Sequence, residues 1–141
     1  MPIPAELFFS HSSHDREFAD QLRQVLDRHH VPYWYSPRHL VGAQQWHDEI
    51  GKALDRCDWF AVILSPAAVG STWVKRELLA ALEDTRYDGK IVPILYQPCE
   101  LRKLSWTLSG FQRVDFTRQG FEDGCRDLLR IWSLDYASAR T

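Results

Sequence analysis

Trp73 and Glu77 stand four residues apart in the stretch STWVKRE (71–77), which opens a segment of helical pattern. On a helix that spacing places both side chains on one face. Two readings follow. Either the indole is core and the carboxylate a solvated surface charge, or the two form one wall of a site. Other chemistry-bearing residues narrow the choice by what they lack. No G-x-G-x-x-G follows the first apolar run and no G-x-x-x-x-G-K-[ST] occurs, so neither a dehydrogenase-type dinucleotide clamp nor a phosphate-cradling loop is expected. His11 and His14 are three apart, but no further His, Cys or carboxylate completes a ligand set. They read as a solvated loop pair, and no metal site is expected. His29 and His30 fall at a helix end, where a cation complements the dipole. Cys57, Cys99 and Cys125 are odd in number, far apart and without a C-x-x-C. They read as reduced thiols of a cytoplasmic protein.

Such residues need elements to position them, and the chain alternates two kinds. ELFFS (6–10), PYWYS (32–36), WFAVILS (59–65), KIVPILYQ (90–97) and, more weakly, FQRVDF (111–116) read as strands. The unbroken apolar run of the third suits a strand covered on both faces. Pro93 argues that the fourth is irregular or lies toward an edge. Helical spacing marks 15–30, 46–57, 71–86 and 120–134, with Asp15 placed to cap the first helix. Residues 37–45 read as a loop punctuated by Pro37 and Gly42. Strand–helix alternation predicts an α/β fold: a flavodoxin-like three-layer sandwich, with a five-stranded, mostly parallel sheet and helices on both faces. Ligands of such sheets bind beyond the carboxyl ends of the strands. Those ends carry Ser10, Ser36, Ser65 and Tyr96 or Gln97, and the loops after them carry His11, Ser12, Arg38 and His39. A phosphoacceptor receiver would want clustered aspartates for Mg²⁺ where Ser10 and Ser65 stand.

Bulk properties set the outer limits. The 141 residues fit one domain, assigned to 1–134, with 135–141 (DYASART) turning small and polar like a tail or the start of a linker. A formal net charge of −2 argues against a dedicated nucleic-acid binder. The opening MPIPAELFFS has no signal-peptide pattern, and no apolar run reaches the 18 or so residues of a membrane span, so no membrane partner is expected.

Four segments then agree with one family. LFFSHSSHD (7–15), SPRHLVGAQQW (36–46), WFAVILSPAAVGSTWVKREL (59–78) and KIVPILY (90–96) resemble, in order, the Toll/interleukin-1 receptor homology (TIR) domain. WVKRE matches that family's W-x-x-x-E pattern. The departures are in the tail: segment 97–113 is longer than the family leads one to expect, and a tryptophan that some members carry directly after the fourth strand is missing. The resemblance implies one of two functions. Some TIR domains are adaptors that polymerise through their loops. Others, including many bacterial and plant members and one axonal animal member, cleave NAD⁺ to nicotinamide and ADP-ribose or a cyclised isomer. The family's catalytic glutamate falls on Glu77.

That chemistry suits a lone carboxylate. A glycosidase commonly needs a second carboxyl group to protonate its leaving oxygen. Nicotinamide leaves a pyridinium and departs neutral, so no proton donor is required. One carboxylate can bind the ribose hydroxyls and stabilise the oxocarbenium charge as it develops. On this reading Glu77 is a partly exposed carboxylate facing the ribose, and Trp73 shapes the pocket wall one turn earlier. Phe9 and Ser10 would line the nicotinamide side, or be strand core and a turn hydroxyl. Ser65, at the third strand's mouth, is also expected to bind substrate. Arg38 would contact phosphate, or be an exposed loop cation. Trp46 would be a lid or a partner anchor, or helix core. NAD⁺ is then the substrate and no cofactor is expected. The 37–46 loop is expected to mediate self-association, which switches activity on, and a fused or separate sensor is expected to trigger it. The competing readings are a non-enzymatic adaptor and a nucleoside-transferase-like enzyme.

Overall fold

The computed structural model describes residues 2–35 and 43–139, with the backbone alone for 43–47. Ser36, Arg38, His39 and most of the expected self-association loop lie outside the described residues, as does the side chain of Trp46. Five strands, β1 (Leu7–Ser10), β2 (Tyr33–Tyr35), β3 (Trp59–Leu64), β4 (Ile91–Leu95) and β5 (Val114–Asp115), form one sheet in the order β2-β1-β3-β4-β5. Every pairing is parallel. The crossovers carry helices α1 (Arg16–Arg28), α2 (Ala43–Arg56), the short α3 (Pro66–Val69), α4 (Thr72–Leu82) and the short α5 (Leu101–Leu104), and α6 (Phe121–Arg130) follows β5.

The strands are apolar throughout because both faces are covered. Alternate residues go to opposite faces. Leu7, Phe9, Trp59, Ala61, Ile63, Val92 and Ile94 pack under α1 and α6, which supply Phe18, Leu22, Val25, Leu26, Leu128, Leu129 and, beyond α6, Trp132. Phe8, Phe60, Val62 and Leu64 pack on the other face against Ile50 and Ala53 of α2 and Val74, Leu78 and Ala81 of α4. The long segment after β4 also contributes there: Leu104 and Leu108 bury themselves in this second face. Gly124 lets α6 approach β5's exit, since a Cβ at that position would lie 2.3 Å from the Phe116 ring.

Pro93 does not put β4 at an edge, because the strand lies between β3 and β5. Phe60 N–H donates to Lys90 O and Tyr96 N–H donates to Leu64 O, so the even-numbered residues of β4 serve β3. Pro93 therefore turns its missing donor toward β5, whose pairing starts only at Ile94.

Two helix ends are closed by left-handed residues other than glycine. His30 (φ 58°) follows α1, with Val31 N–H donating to Leu26 O and His30 N–H to Asp27 O. Ser133 (φ 59°) closes the extension of α6 in the same pattern, Leu134 N–H to Leu129 O and Ser133 N–H to Arg130 O. Both are Schellman closures. Glycine removes the Cβ penalty at such positions, though it gains freedom in the unfolded chain. His30→Gly and Ser133→Gly are each expected to stabilise the fold by about 0.5–1 kcal/mol, raising the thermal midpoint by about 2 °C. A lowered midpoint would contradict this account of the two ends.

His29 makes two ring hydrogen bonds at the end of α1. Its Nδ1–H donates to Val25 O (2.7 Å) and its Nε2 accepts from Ala137 N–H (2.7 Å). The Tyr136 ring stacks on it at 5.6 Å, so residues 136–137 lie against the end of α1.

Cys57 and Cys125 are buried in the two faces, and burial pushes both thiols up to about 12 from 9.0. In the unfolded chain they ionise near 9, so over that interval the folded state binds more protons. Their contribution to stability is complete below pH 9 and is lost as pH rises toward 12. The expected slope is about 1.4 kcal/mol per pH unit for each thiol. Urea midpoints between pH 8 and 10 should fall steeply for the wild type and less steeply for Cys57→Ala/Cys125→Ala. Equal slopes would refute the assignment.

Candidate functional site

Period-two alternation sets up the site. Ser10 ends β1 on the same face as Phe8, the face covered by α4. On α4 the buried residues are Val74, Glu77, Leu78 and Ala81, one helical stripe with a carboxylate in its middle. There Ser10 Oγ donates to Glu77 Oε1 at 2.7 Å. Glu77 is 1 % exposed and Ser10 is fully buried. The carboxylate is therefore enclosed at the carboxyl end of the central strands, not partly exposed as its helical position and charge lead one to expect. A buried charge must be hydrogen-bonded to persist, and a serine from a neighbouring strand supplies that bond. Trp73, one turn earlier, is half-buried against the second face, with the Arg76 guanidinium 5.1 Å from its ring centre.

A second buried carboxylate, Asp15, lies between β1 and α1. Asp15 occupies the cap position of α1 but makes no capping bond. It accepts instead from Ser65 Oγ at 2.5 Å, across 50 residues of chain. Ser65 Oγ in turn accepts from Ala68 N–H (3.0 Å), capping α3. Sequence reasoning read Asp15 only as a cap. Spacing alone carries no signal that it would reach the end of β3. Ser12 accepts from His14 N–H and shapes the turn between these groups.

The other candidates sort plainly. The Phe9 ring points to the α1 face and is core, the consequence of odd–even alternation along β1. It does not line the mouth at which Ser10 and Glu77 meet. Ser65 is fully buried, and its hydroxyl is committed to Asp15 and Ala68. Trp46 lies in α2, and Arg38 is outside the described residues. Asp48 and Glu49, the alternative carboxylates, are exposed on α2. His11 is buried rather than solvated; its Nδ1 lies 2.8 Å from Ser12 O and its ring 4.8 Å from Tyr35. Among the described residues no group of three or more His, Cys, Asp or Glu is placed to hold a metal ion. None of the described helices is long and apolar enough to cross a membrane. A groove of about 710 Å³ lined by Trp59, Ile91, Val92, Arg113 and Val114 opens at the amino ends of β3 and β4. It is large, but it is at the end of the sheet away from Glu77 and holds none of these groups.

A wholly parallel sheet in the order 2-1-3-4-5, helices on both faces and polar groups gathered at its carboxyl end define an α/β sandwich of the flavodoxin type. Within that class the chain belongs to the TIR domain family, whose family model matches residues 7–129. Solved structures agree on the fold. The TIR domain of the Toll-related receptor TRR-2 from the lower metazoan Hydra magnipapillata is 21 % identical, with a TM-score of 0.73 over 89 % of this chain and 96 % of that one. The TIR domains of the activated Roq1 resistosome, which directly recognises the pathogen effector XopQ, are 18 % identical, with a TM-score of 0.70 over 89 % and 98 %. No curated protein sequence matches the chain.

Proposed function

We propose that this TIR domain cleaves the nicotinamide–ribose bond of NAD⁺ and that self-association switches it on, in an immune or cell-death pathway of the cytoplasm. The observation that carries the reading is Glu77: a carboxylate in the middle of an otherwise apolar buried stripe, held by Ser10 at the carboxyl end of the sheet. Burying a charge there costs stability that an apolar side chain would not. Such costs are characteristic of functional sites.

In the proposed reaction the C–N bond to ribose breaks and its electron pair returns to the pyridine ring, which leaves neutral. Positive charge develops on the sugar, and the Glu77 carboxylate stabilises it at fixed distance in a dry setting. Water then adds to the anomeric carbon and releases a proton, giving ADP-ribose; an adenine nitrogen adding instead gives a cyclic isomer. Trp73 forms the wall one turn from the carboxylate. NAD⁺ is consumed as substrate, and the route calls for no cofactor. The near-complete enclosure of Glu77 supports a resting form that must open before substrate reaches it. Self-association through the 37–46 segment, triggered by a fused or separate sensor, would provide that opening.

The test is to incubate the protein with NAD⁺ across a concentration series and measure nicotinamide. Turnover per chain should rise with assembly. Full turnover by dilute, demonstrably monomeric protein would refute the assembly requirement. No release at any concentration would move the domain to the adaptor class.

A further inference from the structure

We infer that Asp15 is a positioning residue for Glu77, acting through Ser65 and the short helix α3; the inference rests on the catalytic reading of Glu77. Two side chains, one at the end of β1 and one at the start of α1, grip both ends of a single connection. Ser10 holds Glu77 on α4 at 2.7 Å, and five residues later Asp15 holds Ser65 at the start of α3 at 2.5 Å. Between the two anchors lie α3, Gly70, Ser71 and the first five residues of α4, and the Ser71 hydroxyl accepts from Val74 N–H to begin that helix. The backbone from Ser65 to Glu77 is thus pinned at its two ends to the end of β1 and the start of α1.

The hydrogen-bond inventory makes Asp15 the controlling member. A serine hydroxyl has one donor proton. Ser65 gives that proton to Asp15 and turns its oxygen to Ala68 N–H. With Asp15 gone, a fully buried hydroxyl loses its acceptor, and the oxygen that caps a four-residue helix keeps one of the two bonds that position it. A helix that short has little else to hold its first turn. Its displacement passes through Gly70 and Ser71 into α4 and moves Glu77 relative to Ser10. That Asp15 forgoes the local cap of its own helix for a partner 50 residues away is what marks the bond as built for this purpose.

The experiment uses the assembled protein and two readouts. The first is the ¹³C resonance of the Glu77 carboxyl, which reports the Ser10 bond whether or not NAD⁺ is cleaved. The second is steady-state kinetics of nicotinamide release. Asp15→Ala and Ser65→Ala are expected to move the Glu77 resonance in the same direction and to lower kcat about 10- to 100-fold with KM little changed. The double variant should be no worse than the weaker single. Asp15→Asn keeps an acceptor for Ser65, so it should restore the wild-type resonance and most of kcat. Asp123→Ala, an exposed carboxylate on α6, should change neither. An unmoved Glu77 resonance in both Asp15→Ala and Ser65→Ala would overturn the inference, as would multiplicative losses in the double variant. Should Asp15→Ala fail to fold, Ser65→Ala and Asp15→Asn carry the same comparison. Should the wild type release no nicotinamide, the proposed function falls, and the resonance alone decides whether Asp15 positions Glu77.

Discussion

Glu77→Gln is expected to slow nicotinamide release by roughly 10²–10³, about 3–4 kcal/mol of lost transition-state stabilisation, while the protein stays folded. The reasoning is geometric. Glutamine keeps the length of the side chain and a carbonyl oxygen that can still accept from Ser10 Oγ, now 2.7 Å from Glu77 Oε1. What it loses is the charge that opposes the developing cation. Glu77→Ala is the poorer test. It would leave the buried Ser10 hydroxyl without its acceptor, at about 1–3 kcal/mol, and open a cavity in the stripe of Val74, Leu78 and Ala81. Nicotinamide release and thermal midpoint should be measured on wild type and Glu77→Gln under the same assembly conditions. Wild-type turnover from a folded Glu77→Gln protein would end the catalytic assignment. The carboxylate to examine next would then be Asp15, which is buried nearby, and not Asp48 or Glu49, which face solvent.

Phe8→Ala should give the largest loss of stability, about 3–5 kcal/mol, out of a total that for such domains is about 5–15 kcal/mol. Phe8 is fully buried in β1, with neighbouring strands on both sides. Its ring stacks on Phe60 at 5.2 Å and lies 4.9 Å from Trp34, so one truncation empties the meeting point of three strands. A fall in the thermal midpoint of roughly 10 °C is expected. Trp73→Ala should cost less, about 1–3 kcal/mol, because that ring is only half-buried. If Phe8→Ala and Trp73→Ala destabilise equally, the second face is not held together in the way described.

Much of this molecule is determined by local order in the chain. The apolar runs at 59–64 and 91–95 are too short for helices and too continuous for half-exposed strands, so they specify a sheet covered on both sides. The spacing of Phe18, Leu22, Val25 and Leu26 specifies α1 and its buried face. The W-x-x-x-E pair specifies which carboxylate sits on α4. These features are readable because each depends on neighbours within a turn or two.

What only the tertiary structure decides is where polar side chains find partners. A lone glutamate on a helix reads as solvated, and nothing within a few residues of Glu77 contradicts that. Its enclosure depends on Ser10, 67 residues earlier, which the parallel order brings beneath α4. Asp15 reads as a cap because capping is a local bond, yet its carboxylate goes to Ser65. His29 reads as a helix-end residue with local partners, yet its Nε2 accepts from Ala137 N–H, 108 residues on. Phe9 reads as a neighbour of Ser10, and alternation sends the two to opposite faces of the sheet. For Asp15 the short-range capping preference is worth about 1 kcal/mol. Leaving a buried donor without an acceptor costs as much or more, so the long-range partner prevails once the sheet has formed.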